Sequence, residues 1–262
     1  MKTLNICTYN VRNDNLIEGF DENRIAKLYK KLTKDYEIDI LTTQEMISST
    51  VKILKEHLKG YHVIGNYRYG NSKIIKRIKS IEKYNEANNI ITKLPILTEK
   101  TIELPWIPRN IKEIISGTFK YRSITPRILT EAVLDIEDYG RVRILNTHLS
   151  HHLKGTLKLQ LKKISKKIKS STIPVVLTGD FNTSIKNKNF KLFISELEKI
   201  GLKRVEIKEK TFKKAKNNNA IDHIFIPSEW KVTEYKIIKD DYLEDYSDHY
   251  PILITVINGN NQ

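Results

Sequence analysis

The sequence predicts an α/β fold whose strand ends build a polar site, and three observations lead there. Short apolar runs of strand length alternate with amphipathic stretches at helical spacing. Several of those runs finish in an amide, a carboxylate or an imidazole. The clearest is Val175-Val176-Leu177-Thr178-Gly179-Asp180-Phe181-Asn182, entered through Pro174. A continuous β-branched run fits a strand covered on both faces. Gly179 lets the backbone turn or another group approach. In extended backbone Asp180 and Asn182 project to the same side. Two readings stay open for this pair. It forms an Asx turn, or it sets a proton or cation acceptor beside an amide that donates to an oxygen gaining charge.

In chain order, Leu4 to Tyr9 reads as a strand ending at Asn10. Glu22 to Lys34 reads as a helix, with Ile25, Leu28, Tyr29 and Leu32 on one face and lysines on the other. Ile38 to Thr43 is a strand ending at Gln44-Glu45, followed by a helix over Ser49 to Leu58 and a strand near Tyr61 to Gly65. Asn71 to Asn89 is polar and basic, read as a solvated face before a binding patch. Strands over Ile90 to Thr92 and Ile96 to Leu104 are broken at Pro95. Pro105 to Pro126, with Trp106, Arg109, Lys120, Tyr121 and Arg122, is a long irregular stretch that serves as a binding element or as a plain surface loop.

Ile128 to Ile136 and Arg141 to Leu149 form a hairpin turned at Asp138-Tyr139-Gly140. Leu157, Leu161, Ile164 and Ile168 make the buried stripe of a helix whose lysine-crowded outer face needs no ligand. After the run ending at Asp180 come a helix near Asn189 to Ile200, stopped by Gly201, and strands at Ile221 to Ile226, Trp230 to Ile238 and Ile252 to Ile257. Residues 258–262 read as a frayed tail.

The 262 residues suit one domain with a sizeable core, and no repeat or linker divides them. A net charge of +15 points to anionic partners such as nucleic acid, acidic lipid or phosphorylated substrates. Enrichment in Lys, Ile and Asn together also follows from an AT-rich genome, which lowers the weight of that charge. A single cysteine, Cys7, excludes an internal disulfide. No stretch approaches membrane-spanning length and Met1-Lys2-Thr3 leads straight into a strand, so a cytoplasmic protein is expected.

Six motifs in order are similar to those of the endonuclease/exonuclease/phosphatase superfamily, the DNase I-like proteins. They are Tyr9-Asn10-Val11-Arg12, Gln44-Glu45, Asn146-Thr147-His148-Leu149, Gly179-Asp180-Phe181-Asn182, Ile221-Asp222-His223-Ile224-Phe225 and Ser247-Asp248-His249-Tyr250-Pro251. The resemblance spans the chain and lies nearest to small bacterial metal-dependent hydrolases of this kind, from which Ser150 departs at a commonly acidic position. It implies a four-layer α/β/β/α sandwich. Glu45 is then the principal ligand of Mg²⁺, or Mn²⁺, with Asn10 and Asp248 beside it. Asp180 orients or deprotonates the attacking water, and Asn182 holds the nucleophile or a phosphoryl oxygen. His148 and His249 flank the phosphate, Asp222 orients His249, and Arg127 contacts phosphate. The implied reaction is in-line attack of water on a phosphoester. A phosphodiesterase or nuclease leads the expectations, with a lipid or small-molecule phosphoesterase and a non-catalytic nucleic-acid-binding protein as alternatives.

Overall fold

A computed structural model describes residues 2–12, 22–68, 85–105, 126–150, 154–241 and 246–259. Strands β1 (Leu4–Asn10), β2 (Ile40–Met46), β3 (His62–Ile64), β4 (Ala87–Thr92), β11 (Lys231–Ile237) and β12 (Ile252–Ile257) form one sheet, in the order β11-β12-β1-β2-β4-β3. The second sheet runs β5-β6-β7-β8-β10-β9, from β5 (Ile96–Leu104), β6 (Arg127–Ile136), β7 (Gly140–His148), β8 (Val175–Asp180), β9 (Leu202–Arg204) and β10 (Asp222–Pro227). Each sheet holds one parallel pair, β1–β2 and β7–β8, among antiparallel neighbours. The connections of those pairs carry α1 (Glu22–Lys30) and α3 (Lys154–Lys169), and the described residues also form α2 (Ser48–His57) and α4 (Lys188–Glu198).

Three apolar clusters show the layering. One lies between the sheets and includes Ile6, Ile40, Ile144, Val176, Ile224 and Ile254. A second joins Cys7, Tyr9 and Leu41 to Ile25, Leu28, Ile53 and Leu54 of α1 and α2. The third joins Leu145, Leu177 and Phe225 to Leu161, Ile164, Phe190 and Phe193 of α3 and α4. Adjacent residues such as Ile6 and Cys7, or Val176 and Leu177, enter different clusters, as the two-residue pleat requires. The fold is the expected α/β/β/α sandwich.

Along the inward faces the chemistry changes in steps of two residues. In β1 the series is Ile6, Thr8, Asn10; in β7 it is Ile144, Asn146, His148; in β8 it is Val176, Thr178, Asp180. Aliphatic residues thus fill one end of the inter-sheet space, hydroxyls and amides its middle, and acids and imidazoles the other end. The middle layer ties the sheets together. Gln44 Nε2 donates to Asn146 Oδ1 at 2.8 Å, and Asn146 Nδ2 donates to the carbonyls of Thr43 and Asn89, both at 2.8 Å. The Asn146 amide, with its oxygen and its nitrogen both partnered across the sheets, specifies one alignment of the two.

Several expectations need correction. The first helix leaves α-geometry at Lys31–Asp35, which is π-helical, where Thr33 Oγ1 donates back to the carbonyl of Tyr29 at 2.7 Å. Such back-bonding of a hydroxyl distorts a helix. Strand β4 begins at Ala87, inside the stretch read as a basic face; residues 71–84 of that stretch lie outside the described residues, as do Trp106, Arg109, Lys120, Tyr121 and Arg122. The short β9 was not anticipated. Asn258 is no frayed end, since its Nδ2 donates to the carbonyl of Asp138 at 2.9 Å. Among the described residues, no helix is long and apolar enough to cross a membrane.

Gly179 sits in β8 with φ +144, and a Cβ there would lie 2.0 Å from the carbonyl oxygen of Thr147. The backbone of β7 leaves no room. Gly179→Ala is therefore expected to cost about 4 kcal/mol or more in urea unfolding; a loss under about 1 kcal/mol would show that the two strands are not so closely apposed.

Candidate active site

The acidic and imidazole side chains gather at one end of both sheets, each carried at or near the end of a strand. Asn10, Glu45, His148 and Asp180 stand at or near the ends of β1, β2, β7 and β8, Asp222 opens β10, and His249 precedes β12. Asn10 joins the sheets: its Nδ2 donates to Asp180 Oδ2 at 3.0 Å and to Glu45 Oε1 at 3.1 Å. His148 Nε2 lies 3.6 Å from Asp180 Oδ2 and 3.8 Å from Glu45 Oε1. His249 Nε2 lies 3.8 Å from the same Asp180 oxygen, while its Nδ1 is 2.9 Å from Asp222 Oδ2. Asp180 is the hub, and both imidazoles face it.

Of the two readings open for the exit of β8, the structure shows the Asx turn. Asn182 is left-handed, with φ +50. Its backbone N–H donates to Asp180 Oδ1 at 2.7 Å, and its Nδ2 donates to the carbonyl of Leu149 at 3.0 Å. The pair is an Asx turn, so Asn182 ties the loop after β8 to the end of β7 instead of lying along one face with Asp180. Asp248 Oδ2 is 3.4 Å from Nε of Arg12, whose backbone N–H donates to Asn10 Oδ1 at 3.1 Å. Arg12 and Glu45 are left-handed as well, at φ +42 and +63. For residues with side chains this costs about 1–2 kcal/mol each, and such strain gathers where a site dictates the backbone.

Electrostatics follow from crowding acids away from water. Burial and the nearby Glu86 push the Glu45 carboxyl up to about 8, against the Asn10 hydrogen bond. Burial and Asp222 push Asp180 up to about 6, while the His249 ring and the donated hydrogen bonds pull the other way. Burial disfavours a charged His249, but Asp222, Asp180 and Asp248 outweigh it and hold the ring at about 10. His223 is the counter-example one residue from Asp222. It is fully buried beside Phe181 and Phe190 with Nε2 on the Thr183 carbonyl at 2.9 Å, and burial pushes it down to about 4. It is a structural histidine.

Two groups could be considered for a cation. Ligand atoms of Asp180, Asp222 and His249 lie within 4.8 Å of one another. However, the Asp222–His249 hydrogen bond already occupies the facing atoms. The Glu45 carboxyl fits better, because it is a hard oxygen donor that burial and Glu86 disfavour in its ionised form; the Asn10 amide beside it turns Nδ2 to Glu45 and its Oδ1 to the Arg12 N–H.

Arg127 begins β6 and is buried beside this centre, within electrostatic reach of Glu45 and Asp180. Sequence reasoning passed over Arg68, which is equally buried and pairs with Glu86 at 2.8 Å, and it gave no role to the amide layer of Gln44 and Asn146. Only the strand register, which the sequence does not print, places them here. Ser150 closes its own loop by donating its N–H to Gln160 Oε1 at 3.0 Å.

No family model and no curated protein matches the sequence, but solved structures do. An endonuclease/exonuclease/phosphatase family protein from Bacteroides thetaiotaomicron aligns over 97% of both chains, at TM-score 0.76 and 22% identity. The chain has the endonuclease/exonuclease/phosphatase fold. A mannosyl-6-phosphatase from the same bacterium aligns over 97% of this chain and 99% of its own, at TM-score 0.74 and 21% identity. TDP2 from D. rerio, in complex with a single-stranded DNA product, aligns over 98% and 100%, at TM-score 0.67 and 16% identity. In this fold the described acids and imidazoles occupy the mouth between the two sheets.

Proposed function

We propose that the chain hydrolyses phosphoesters by in-line attack of a water activated at Asp180, assisted by a divalent cation, Mg²⁺ or Mn²⁺. The observation that carries this reading is the Asn10 amide bridging Glu45 and Asp180, with two imidazoles within 4 Å of Asp180. Asp180, at about 6, is ionised at neutral pH and able to take a proton from water. His249, charged and held by Asp222, stabilises negative charge that builds on a phosphoryl oxygen; His148 faces the same point from the other sheet. Asn182 keeps the β8 loop closed over Asp180. Glu45 and Asn10 would hold the cation, which when bound supplies a Lewis acid that neutralises phosphoryl charge. Asp248, placed beside Arg12, acts on His249 through its charge.

The net charge of +15 supports a nucleic-acid substrate, as does the DNA product held by TDP2. A mannosyl-6-phosphatase among the fold neighbours supports a small phosphorylated one. A silent nucleic-acid binder would have no use for a buried acid facing two imidazoles. Incubation with plasmid, single-stranded DNA, RNA and chromogenic phosphoesters, each with Mg²⁺ and with EDTA, tests the reading. No Mg²⁺-dependent turnover of any of them would defeat it.

The cation also has a signature without turnover. Glu45 rises from 4.5 to about 8 on folding. The folded state therefore keeps a proton that the unfolded chain releases, and stability falls as pH climbs through that window. A cation that displaces this proton stabilises only where Glu45 ionises. Mg²⁺ is expected to raise Tm by about 4 °C or more over EDTA at about pH 8 and by under about 1 °C at about pH 5. A pH-independent increment, or none, would remove Glu45 as a ligand.

A further inference from the structure

Beside the reaction centre lies a recess of about 10 Å³, lined by Arg68, Glu86, Asn88, Arg127, Ile128 and His148. That volume admits about one oxygen-sized atom. Its walls are firm: both arginines are 6% exposed, and Asn88 Nδ2 is fixed on the Ile128 carbonyl at 3.0 Å. Glu86 holds Arg68 through Nη1. The Arg127 guanidinium forms no hydrogen bond or ion pair with the described residues, and its Nε is buried without an acceptor. Burial disfavours its charge and the adjacent Arg68 repels it further, while Glu86, Glu45 and Asp180 favour it through space without bonding to its donors. A buried cation with open donors calls for an anion.

We propose that this recess is a one-oxygen notch, read by Arg68 and Arg127, that restricts the substrate to phosphomonoesters. The proposal rests on the hydrolase reading above and names its substrate class. In an in-line displacement three equatorial oxygens carry the charge of the transferred phosphoryl group. Glu45 and Asn10, which would hold the cation, face one side and the imidazoles a second. The third oxygen falls to the notch, which His148 lines as well. In a monoester that oxygen is bare and negative, and suits two guanidinium groups. In a diester it carries a carbon chain, for which about one water's volume leaves no room. Water's oxygen bonds to phosphorus and its proton passes to Asp180. The bond to the leaving oxygen breaks with its electron pair, and that oxygen is protonated from solvent, giving an alcohol and inorganic phosphate.

The test compares p-nitrophenyl phosphate with bis-p-nitrophenyl phosphate, together with calorimetric binding of inorganic phosphate and of dimethyl phosphate. All are run with Mg²⁺ at about pH 8, above the second phosphate pKa of about 6. The expected monoester kcat/KM exceeds the diester value by about a hundredfold or more, and inorganic phosphate binds while dimethyl phosphate does not. Arg68→Gln alone would strand Glu86, so the double variant Arg68→Gln/Glu86→Gln is used, with circular dichroism as the folding check. It is expected to lower the monoester-to-diester ratio, and phosphate affinity, by about tenfold or more. An equal or preferred diester, or a variant that lowers both esters alike, overturns the notch while leaving the hydrolase reading standing. If neither ester is turned over but phosphate alone binds, and binds the double variant more weakly, the notch stands and the hydrolase reading falls. Absence of phosphate binding defeats the notch.

Discussion

Asp180→Asn is expected to lower kcat by about a thousandfold or more while the protein stays folded. The side chain is buried at the point where Asn10 and both imidazoles converge. An amide cannot take a proton from water at any accessible pH. The fold tolerates the change for local reasons. The Asn182 N–H still finds an oxygen, as it does now on Asp180 Oδ1. The new NH₂ faces Asn10 Nδ2, a donor against a donor, which costs about 1–2 kcal/mol. Removing a desolvated carboxylate beside Asp222 offsets part of that. Steady-state rates with an unchanged circular-dichroism spectrum are the measurement. Activity within about tenfold of wild type would end the case for Asp180 as base.

His249→Ala comes next, with an expected loss of about 10²–10³ in kcat. The ring is the charged group nearest Asp180 on the β12 side, and Asp222 keeps it charged up to about 10. Asp222→Asn separates charge from presence. The ring stays, but without its anion it returns toward the ordinary 6.5, and buried rings fall further. Activity should drop by about 10–100-fold at neutral pH. The rate should also decline as pH rises through about 6.5, where wild type holds its imidazolium to about 10. The pH profile is the deciding measurement. If the alkaline limbs of wild type and Asp222→Asn coincide, the ring's charge is not what the reaction uses.

Most of the architecture was legible because burial imposes periods. The two-residue alternation in β1, β7 and β8 and the 3.6-residue stripe of α3 are direct records of which faces meet the core. Polar residues ending apolar runs, such as Glu45, His148, Asp180 and Asp222, were legible because strands in such a fold end where the site begins. What stayed hidden depends on neighbours distant in sequence. Arg68 follows no pattern of its own and gains meaning only when β4 and β6 bring Glu86 and Arg127 beside it. β9 spans three residues, too short for a period. The Asx turn at Asp180-Asn182 was one of two legible readings and is made by a local bond, whereas the anchor of the Asn182 side chain on the Leu149 carbonyl, 33 positions earlier, was not legible. His223 shows the reverse: a histidine in a matching motif that the aromatic core claims for packing.

The sandwich closes late in synthesis. β1 lies between β2 and β12, its partner of opposite direction some 250 positions downstream, and His249 arrives immediately before that last strand. A chain still on the ribosome holds Asp180 and His148 without their counterpart, so the cleft stays incomplete until translation has delivered the last strand of the first sheet.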